Sequence, residues 1–500
     1  MFGPDLVGAI SEAFTLSNLL AVLIGVMIGQ LAGAMPGITI SLGMALLLPF
    51  TFGLEASTAI SLLLGLYMGG MTGGSYSAIL LGMPGTPSAA ATMLDGHPMS
   101  KQGQAGKALG TAVISSFMGG LIGFTALVLF APLIAGVALG FGQPELFALV
   151  FLGLSLIVTF SGASVVKGLI AGVVGLMIMT IGLDPLTATP RFTFGRVELQ
   201  EGVPLLVALI GLFVIPQLID SMTAKARLTP PAVSTGLKNI LPNWSIVKRL
   251  PKGIVIGGSI GVGIGAIPGA GGPIAVFLAY DTARRVSREP EKFGTGAPQG
   301  VGTAEAANSG MAGGAMIPLI TLGIPGDPIT AVLLGALLIQ GLAPGPFLFA
   351  EQPQFVYGVF VTFLIAIVIN LAFSLFGGIR LILQALRAPS HLLLPFIAAM
   401  ALLGSYAIRN MLFDSFLMIA FGILAYLMRR YSFPVLPMLL ALVLGPPLER
   451  HLRLSLSISG GDPTIFVTRP VAATLVLLGL LALTSPLWGA LLRRLRRSAT

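Results

Sequence analysis

Gly323-Ile324-Pro325-Gly326-Asp327-Pro328 sits between two apolar runs, Met316–Leu322 and Ile329–Gln340. Four of its six residues are Gly or Pro, so no α-helix runs through it. Asp327-Pro328 reads as a helix start, with Asp as N-cap and Pro at the first helical position. A helix N-terminus at membrane depth presents free N–H groups and partial positive charge, which suits an anion. Leu81-Gly82-Met83-Pro84-Gly85-Thr86-Pro87 repeats the pattern of Leu322–Pro328, with Thr86 in the N-cap place. Paired helix breaks in two halves of a membrane chain point to a transporter site.

The chain around these breaks is apolar. It has 500 residues, 55% hydrophobic and 9% charged, against about 25% charged in soluble proteins. Many apolar runs reach the roughly 20 residues that span a bilayer. These features predict an all-α polytopic membrane protein. The absence of Cys excludes disulfides and thiol chemistry, and His97, His391 and His451 lack metal-ligand spacing. The net charge of +9 lies mainly in loops beside membrane segments, as the positive-inside rule expects, and does not indicate nucleic-acid binding. Met1–Leu16 carries Asp5 and Glu12 and no basic residue, unlike the start of a cleaved signal peptide.

Asp220–Lys252 is the main interruption, with Lys225, Arg227, Lys238, Lys248, Arg249 and Lys252 against the single acid Asp220. It reads as a basic cytoplasmic linker (220–252) between a first transmembrane repeat (19–219) and a second (253–492). Asp95–Lys107 reads as a polar loop. Arg493, Arg494, Arg496 and Arg497 place the tail in the cytoplasm.

The evidence for repetition is ordered. Gly29–Gly37 aligns without a gap on Gly261–Gly269, the two Pro-Gly breaks align, and Gly162–Lys167 parallels Gly404–Arg409. Basic residues flank both ends of Gly253–Tyr280, which favours a re-entrant hairpin turning at Pro268-Gly269 over a single span. Leu19–Phe52 is its counterpart, turning at Pro36-Gly37. A basic linker and a basic tail argue for parallel copies, whereas paired broken helices argue for inverted ones. Inversion is the reading adopted, with one domain moving against a scaffold as in an elevator.

Together, Gly33-Ala34-Met35-Pro36-Gly37-Ile38-Thr39, Gly82–Pro87, Gly302-Thr303-Ala304-Glu305-Ala306-Ala307-Asn308-Ser309 and Gly323–Pro328 resemble the large membrane subunit of the tripartite tricarboxylate transporters, the TctA family. The resemblance covers nearly the whole chain. It implies a multi-pass permease of the bacterial inner membrane that works with a small membrane subunit (TctB-like) and a periplasmic substrate-binding protein (TctC-like). It implies symport of citrate or related carboxylates, driven by an ion gradient, with no cofactor.

The expected substrate site comprises Pro36, Gly37, Thr39, Ser75, Pro84, Gly85, Thr86, Pro268, Gly269, Asn308, Pro325, Gly326 and Asp327. Gly326 is expected to need either positive φ or a close approach to ligand. Asp327 and Glu305 are the candidates for the coupling cation, Na+ or H+, because intramembrane acids are functional by default. As an N-cap, Asp327 also has a purely structural reading, and Thr86 shares that role without the charge. A channel or scaffold subunit is the alternative, although a channel usually shows rings of like charge or identical filter loops. An intramembrane enzyme is disfavoured, since no His-Glu-x-x-His motif, Cys or Ser/His pair is evident.

Overall fold

The computed structural model describes residues 4–35, 38–160, 164–184, 187–223, 236–386 and 390–498. The first half holds α1 (Pro4–Ala13), α2 (Leu16–Ala34), α3 (Ile40–Thr51) and α4 (Ala56–Leu81). A 3-10 turn (Pro87–Ala89) leads into α5 (Ala90–Met99), followed by α6 (Ala105–Ala138), α7 (Gln143–Phe160) and α8 (Val165–Met179). An antiparallel ribbon, β1 (Gly182–Leu183) with β2 (Pro190–Arg191), precedes α9 (Leu205–Thr223). Short helices α10 (Leu237–Ile240) and α11 (Trp244–Val247) lie in the linker. The second half holds α12 (Leu250–Gly265), α13 (Gly271–Arg285), α14 (Pro298–Leu322), α15 (Pro328–Ile339), α16 (Pro346–Glu351) and α17 (Pro353–Phe373). It continues with α18 (Ile379–Ala385), α19 (Ser390–Ala407), α20 (Leu412–Arg430), α21 (Leu436–Ile458), α22 (Ile465–Thr468) and α23 (Pro470–Ser498).

Among the described residues, five helical stretches are long and apolar enough to cross a membrane, and several shorter apolar helices accompany them. The chain is an all-α polytopic membrane protein. Its two innermost helices, α4 and α14, are rich in small residues and are almost wholly buried. Small residues allow backbones to approach closely where lipid offers no hydrophobic drive for helix pairing.

Gly25, Gly29 and Gly33 of α2 lie against the carbonyls of Leu62, Leu66 and Gly70 of α4, so a Cβ at any of them would collide with backbone. Both series ascend together, so α2 and α4 run in the same direction. The intervening α3 must therefore run back, and α2–α3 enters and leaves by one end. The same packing occurs in the second half. Gly257, Gly261 and Gly265 of α12 lie against the carbonyls of Thr303, Ala307 and Met311 of α14. Here α13 returns beside α12, and Lys252 Nζ at the base donates to the Val286 carbonyl at 2.7 Å.

The two hairpins enter from opposite ends. The base of α12–α13 lies with the linker: Lys107 Nζ at the start of α6 donates to the Lys238 and Leu241 carbonyls. At the other end, Thr58 at the start of α4 donates to Asn18 at the start of α2, and Gln340 past α15 donates to the Thr51 carbonyl. The peripheral helices follow suit. Lys167 at the start of α8 donates to the Tyr431 carbonyl at the end of α20, near the Arg429–Asp220 pair at 3.0 Å. Arg409, just before α20, pairs with Asp414 and bonds the Glu198 carbonyl ahead of α9. The far ends of α8 and α21 meet through Asp184, Arg191, Glu449 and Arg453. Hence α8 and α20 run in opposite directions.

Asp95–Lys107 differs from the expected polar loop. The helix continues through Asp95 to Met99, and a π-helical turn (Ser100–Gln104) kinked at Gly103, φ 76°, leads into α6. Asp95 is fully buried. Its Oδ1 accepts from the N–H groups of Gly294, Gly296 and Ala297, and Tyr280 donates to Oδ2. Those donors replace water and allow a charged residue inside the packed end of α5.

Candidate functional site

Each long inner helix ends in the same way. Gly82 at φ 66° and Gly323 at φ 68° adopt the left-handed conformation that terminates α4 and α14. The chain then doubles back onto the ends of α2 and α12. Gly85 packs on the Gly33 carbonyl, and Gly326 packs on the Gly265 carbonyl. The Gly269 N–H also donates to the Gly326 carbonyl at 3.0 Å, which joins one break to the tip beside it. From these loops new helices start inside the molecule: the turn into α5 after Thr86, and α15 after Asp327, both N-cap residues being buried.

Four helix starts therefore converge, two from each half: α3, the turn into α5, α13 and α15. They surround a cavity of about 610 Å³. Thr39, Ser41, Thr86, Ser88, Gly269, Gly271, Gly272 and Asp327 line it from the breaks. Leu212, Phe213 and Gln217 of α9, Arg429 of α20 and the connection Phe433–Leu436 close the other side. N–H groups and hydroxyls thus face aromatic and aliphatic walls, a composition that suits a small anion with an organic body.

The polar groups differ in how fully they are engaged. Thr39 caps α3 by accepting from the Leu42 N–H. Asp327 forms a capping box with Thr330: its Oδ1 accepts from the Thr330 N–H at 2.7 Å, and its own N–H donates to Thr330 Oγ1. Its second oxygen accepts from the Tyr67 hydroxyl of α4 at 2.9 Å. Thr86 holds the N-cap position but makes no capping bond, and its buried Oγ1 has no partner.

The structure brings Thr39, Thr86, Gly269 and Asp327 to the cavity wall. Pro84, Gly85, Pro268, Pro325 and Gly326 shape the loops behind it without lining it. Gly326 is not at positive φ, and a Cβ there would meet the Gly265 carbonyl; the left-handed residue is Gly323. Ser75 is fully buried in α4 and donates to the Thr72 carbonyl. Asn308 and Glu305 lie in α14 away from the cavity wall, facing α4 and α5. Pro36 and Gly37 lie outside the described residues.

Sequence reasoning missed Ser41, Ser88, Gln217 and Arg429, which no local motif marks, and Tyr67. It also missed a buried chain of bonds at the α2, α4, α6, α14 and α17 seams. Gln30 donates to Asn370 and Ser374, Asn370 donates to Thr72, and the hydroxyls of Thr72, Ser116 and Ser309 are linked in turn.

Residues 19–440 match the family described as Tripartite tricarboxylate transporter TctA family. The chain is 38% identical over 444 residues to an uncharacterized 52.8 kDa protein in the TAR-I ttuC' 3' region of Agrobacterium vitis, covering 87% of this chain and 86% of that one. It is 40% identical over 221 residues to an uncharacterized protein in the TAR-II ttuC' 3' region of the same organism, covering 43% of this chain and 89% of that one. No solved structure matches. With the family's pattern spanning most of its length, this chain belongs to the tripartite tricarboxylate transporter TctA family.

Proposed function

We propose that the chain is the permease subunit of a binding-protein-dependent secondary transporter. It carries citrate or a related carboxylate into the cell across the bacterial inner membrane, by symport with Na+ or H+. The observation that carries this reading is the meeting of four helix starts, two from each half, around one cavity. Helix N-termini pointing at a site between two repeats are the usual means of holding an anion at bilayer depth. Family membership supports transport rather than catalysis, and supports a small membrane subunit and a binding protein as partners.

The halves are two copies related by inversion. Support comes from the matched glycine contacts of α2–α4 and α12–α14, from hairpins entering at opposite ends, and from α8 and α20. Lys167 and Arg409, aligned in sequence, sit at opposite ends of the molecule. On this reading α9 corresponds to α21, and α23 is an addition beyond the second copy. The basic linker and the basic tail then share one side without the copies being parallel. The cavity lies between the break-bearing helices and α9 with the α20–α21 connection, so movement of the former against the latter would carry the site as in an elevator.

The test is uptake of labelled citrate into proteoliposomes. Uptake should require the small membrane subunit and the binding protein, and unlabelled di- and tricarboxylates should compete. Full-rate uptake by this chain alone would remove it from the binding-protein-dependent class. Competition by amines or sugars but not by carboxylates would overturn the substrate class.

A further inference from the structure

Glu305 is fully buried in α14, within a run that is buried from Gly300 to Thr321. Its Oε1 accepts a hydrogen bond from the Thr92 hydroxyl of α5, and its Oε2 has no partner. Asn308, one turn on and on the same face, is also fully buried. Its Nδ2 donates to the Met71 carbonyl of α4 at 2.9 Å, which fixes the amide so that Oδ1 points away from that carbonyl. Oδ1 also has no partner. A buried carboxylate oxygen and a buried amide oxygen on one helix face, each without a donor, are costly unless a positive group reaches them.

The first half shows how such a place is otherwise filled. The alignment that sets Pro84 on Pro325 and Gly73 on Gly314 sets Leu64 on Glu305 and Tyr67 on Asn308. In the first half Leu64 is apolar, and Tyr67 donates directly to Asp327. In the second half the acid and amide stand at those places, with no donor for their free oxygens. Asp327, by contrast, has a donor on each carboxylate oxygen, so its bonds are complete without an ion.

We infer that Glu305 and Asn308, with the Thr92 hydroxyl beside them, bind a sodium ion in the seam of α14 with α4 and α5. The donor set is entirely oxygen, which suits a hard cation. It carries one acidic charge, which a monovalent ion neutralises; among the described residues no group of three acids or histidines supports a divalent one. The Thr92 hydroxyl already donates to the carboxylate, the bond an ionised acid accepts. The ion's role in coupling rests on the transport reading above; its binding does not.

The experiment is thermal unfolding of the purified full chain in detergent, with NaCl titrated against KCl at constant ionic strength and at two pH values. A ligand that binds only the folded state raises the unfolding temperature as its concentration passes Kd. Sodium should raise it in the native chain and in Asp327→Asn. Asn308→Ala should weaken apparent sodium affinity on the order of tenfold, the loss of one ligand next to a charge. Glu305→Gln, nearly the same size, should fold and lose the sodium response. A sodium response kept in Glu305→Gln overturns the assignment. So does a native chain whose stability follows pH and is indifferent to sodium, because a proton on Glu305 would then satisfy both oxygens. Sodium binding without citrate uptake would leave the site standing and defeat the transport reading instead.

Discussion

Thr86 and Asp327 occupy equivalent places at the heads of two breaks, yet their side chains have different work. Asp327 holds three elements together: the start of α15 through Thr330, its own turn, and α4 through Tyr67. Thr86 holds nothing: the residue lines the cavity, but its buried hydroxyl lies against Gly74 of α4 without a partner. Removing a side chain that satisfies others leaves their donors orphaned, whereas removing an orphan is close to neutral for stability. Asp327→Ala should therefore destabilise the chain by about 1–3 kcal/mol, since it loses a cap and strands the Tyr67 hydroxyl in the interior. Thr86→Val, the same shape without the hydroxyl, should unfold at the native temperature or above it. It should instead raise the substrate concentration needed for half-maximal uptake roughly tenfold at most, the worth of one hydrogen bond. Unfolding curves and uptake kinetics on both variants separate the two roles. A destabilised Thr86→Val with native substrate affinity would show that Thr86 is structural. The sequence made both N-cap positions legible through their following prolines. It could not reveal Tyr67 as the partner of Asp327, because that bond joins residues 260 apart in the chain.

At the scale of elements, the molecule rests on two helix pairs whose backbones touch through glycine. Gly25, Gly29 and Gly33, like Gly257, Gly261 and Gly265, stand four residues apart in the sequence, the spacing that close helix packing uses. Their partner helices became visible only in three dimensions, and with them the direction of each hairpin. The contact can be tested within one helix. Gly261 of α12 lies against the Ala307 carbonyl, and a side chain there must push the helices apart. Gly263, two residues on, has nothing within 4 Å of where a Cβ would stand. Gly261→Leu should lower the unfolding temperature, with a cost of roughly 1–3 kcal/mol for overpacking. Gly263→Ala should be neutral or stabilising by roughly 0.5–1 kcal/mol, the ordinary gain of Ala over Gly inside a helix. Equal destabilisation by both would mean that the seam does not depend on backbone contact. The chain of hydroxyls and amides from Gln30 to Ser309 was not legible at all. Its members are scattered over several helices, and no spacing along one helix links them.

At the scale of the whole molecule, the direction of the second half decides the mechanism, because alternating access by inverted copies needs the two halves to face opposite ways. Charge alone left this open, since basic residues follow both α9 and α23. The connections bear on it physically, and they support the inversion proposed above. The loop before α9 and the end of α21 meet through Arg191 with Glu449, at 2.7 Å, and Arg453 with Asp184, so both lie at the end away from the linker. Arg469 at the head of α23 pairs with Glu145 near the head of α7, and Gly479 packs on Phe151. The last helix thus runs alongside α7, back toward the linker side. Four single cysteines in this otherwise cysteine-free chain test the arrangement: Lys238→Cys in the linker, Phe194→Cys in the loop after β2, Asp462→Cys between α21 and α22, and Ser498→Cys in the tail. Phe194 and Asp462 are exposed, so substitution there should not disturb packing. In whole cells an impermeant thiol reagent should label the cysteines at 194 and 462 and spare those at 238 and 498. Opening the cells should make the last two reactive. If the cysteine at 462 is protected together with that at 238 while 194 reacts, the end of α21 is cytoplasmic. The copies would then be parallel, and the inverted-repeat mechanism would have to be abandoned.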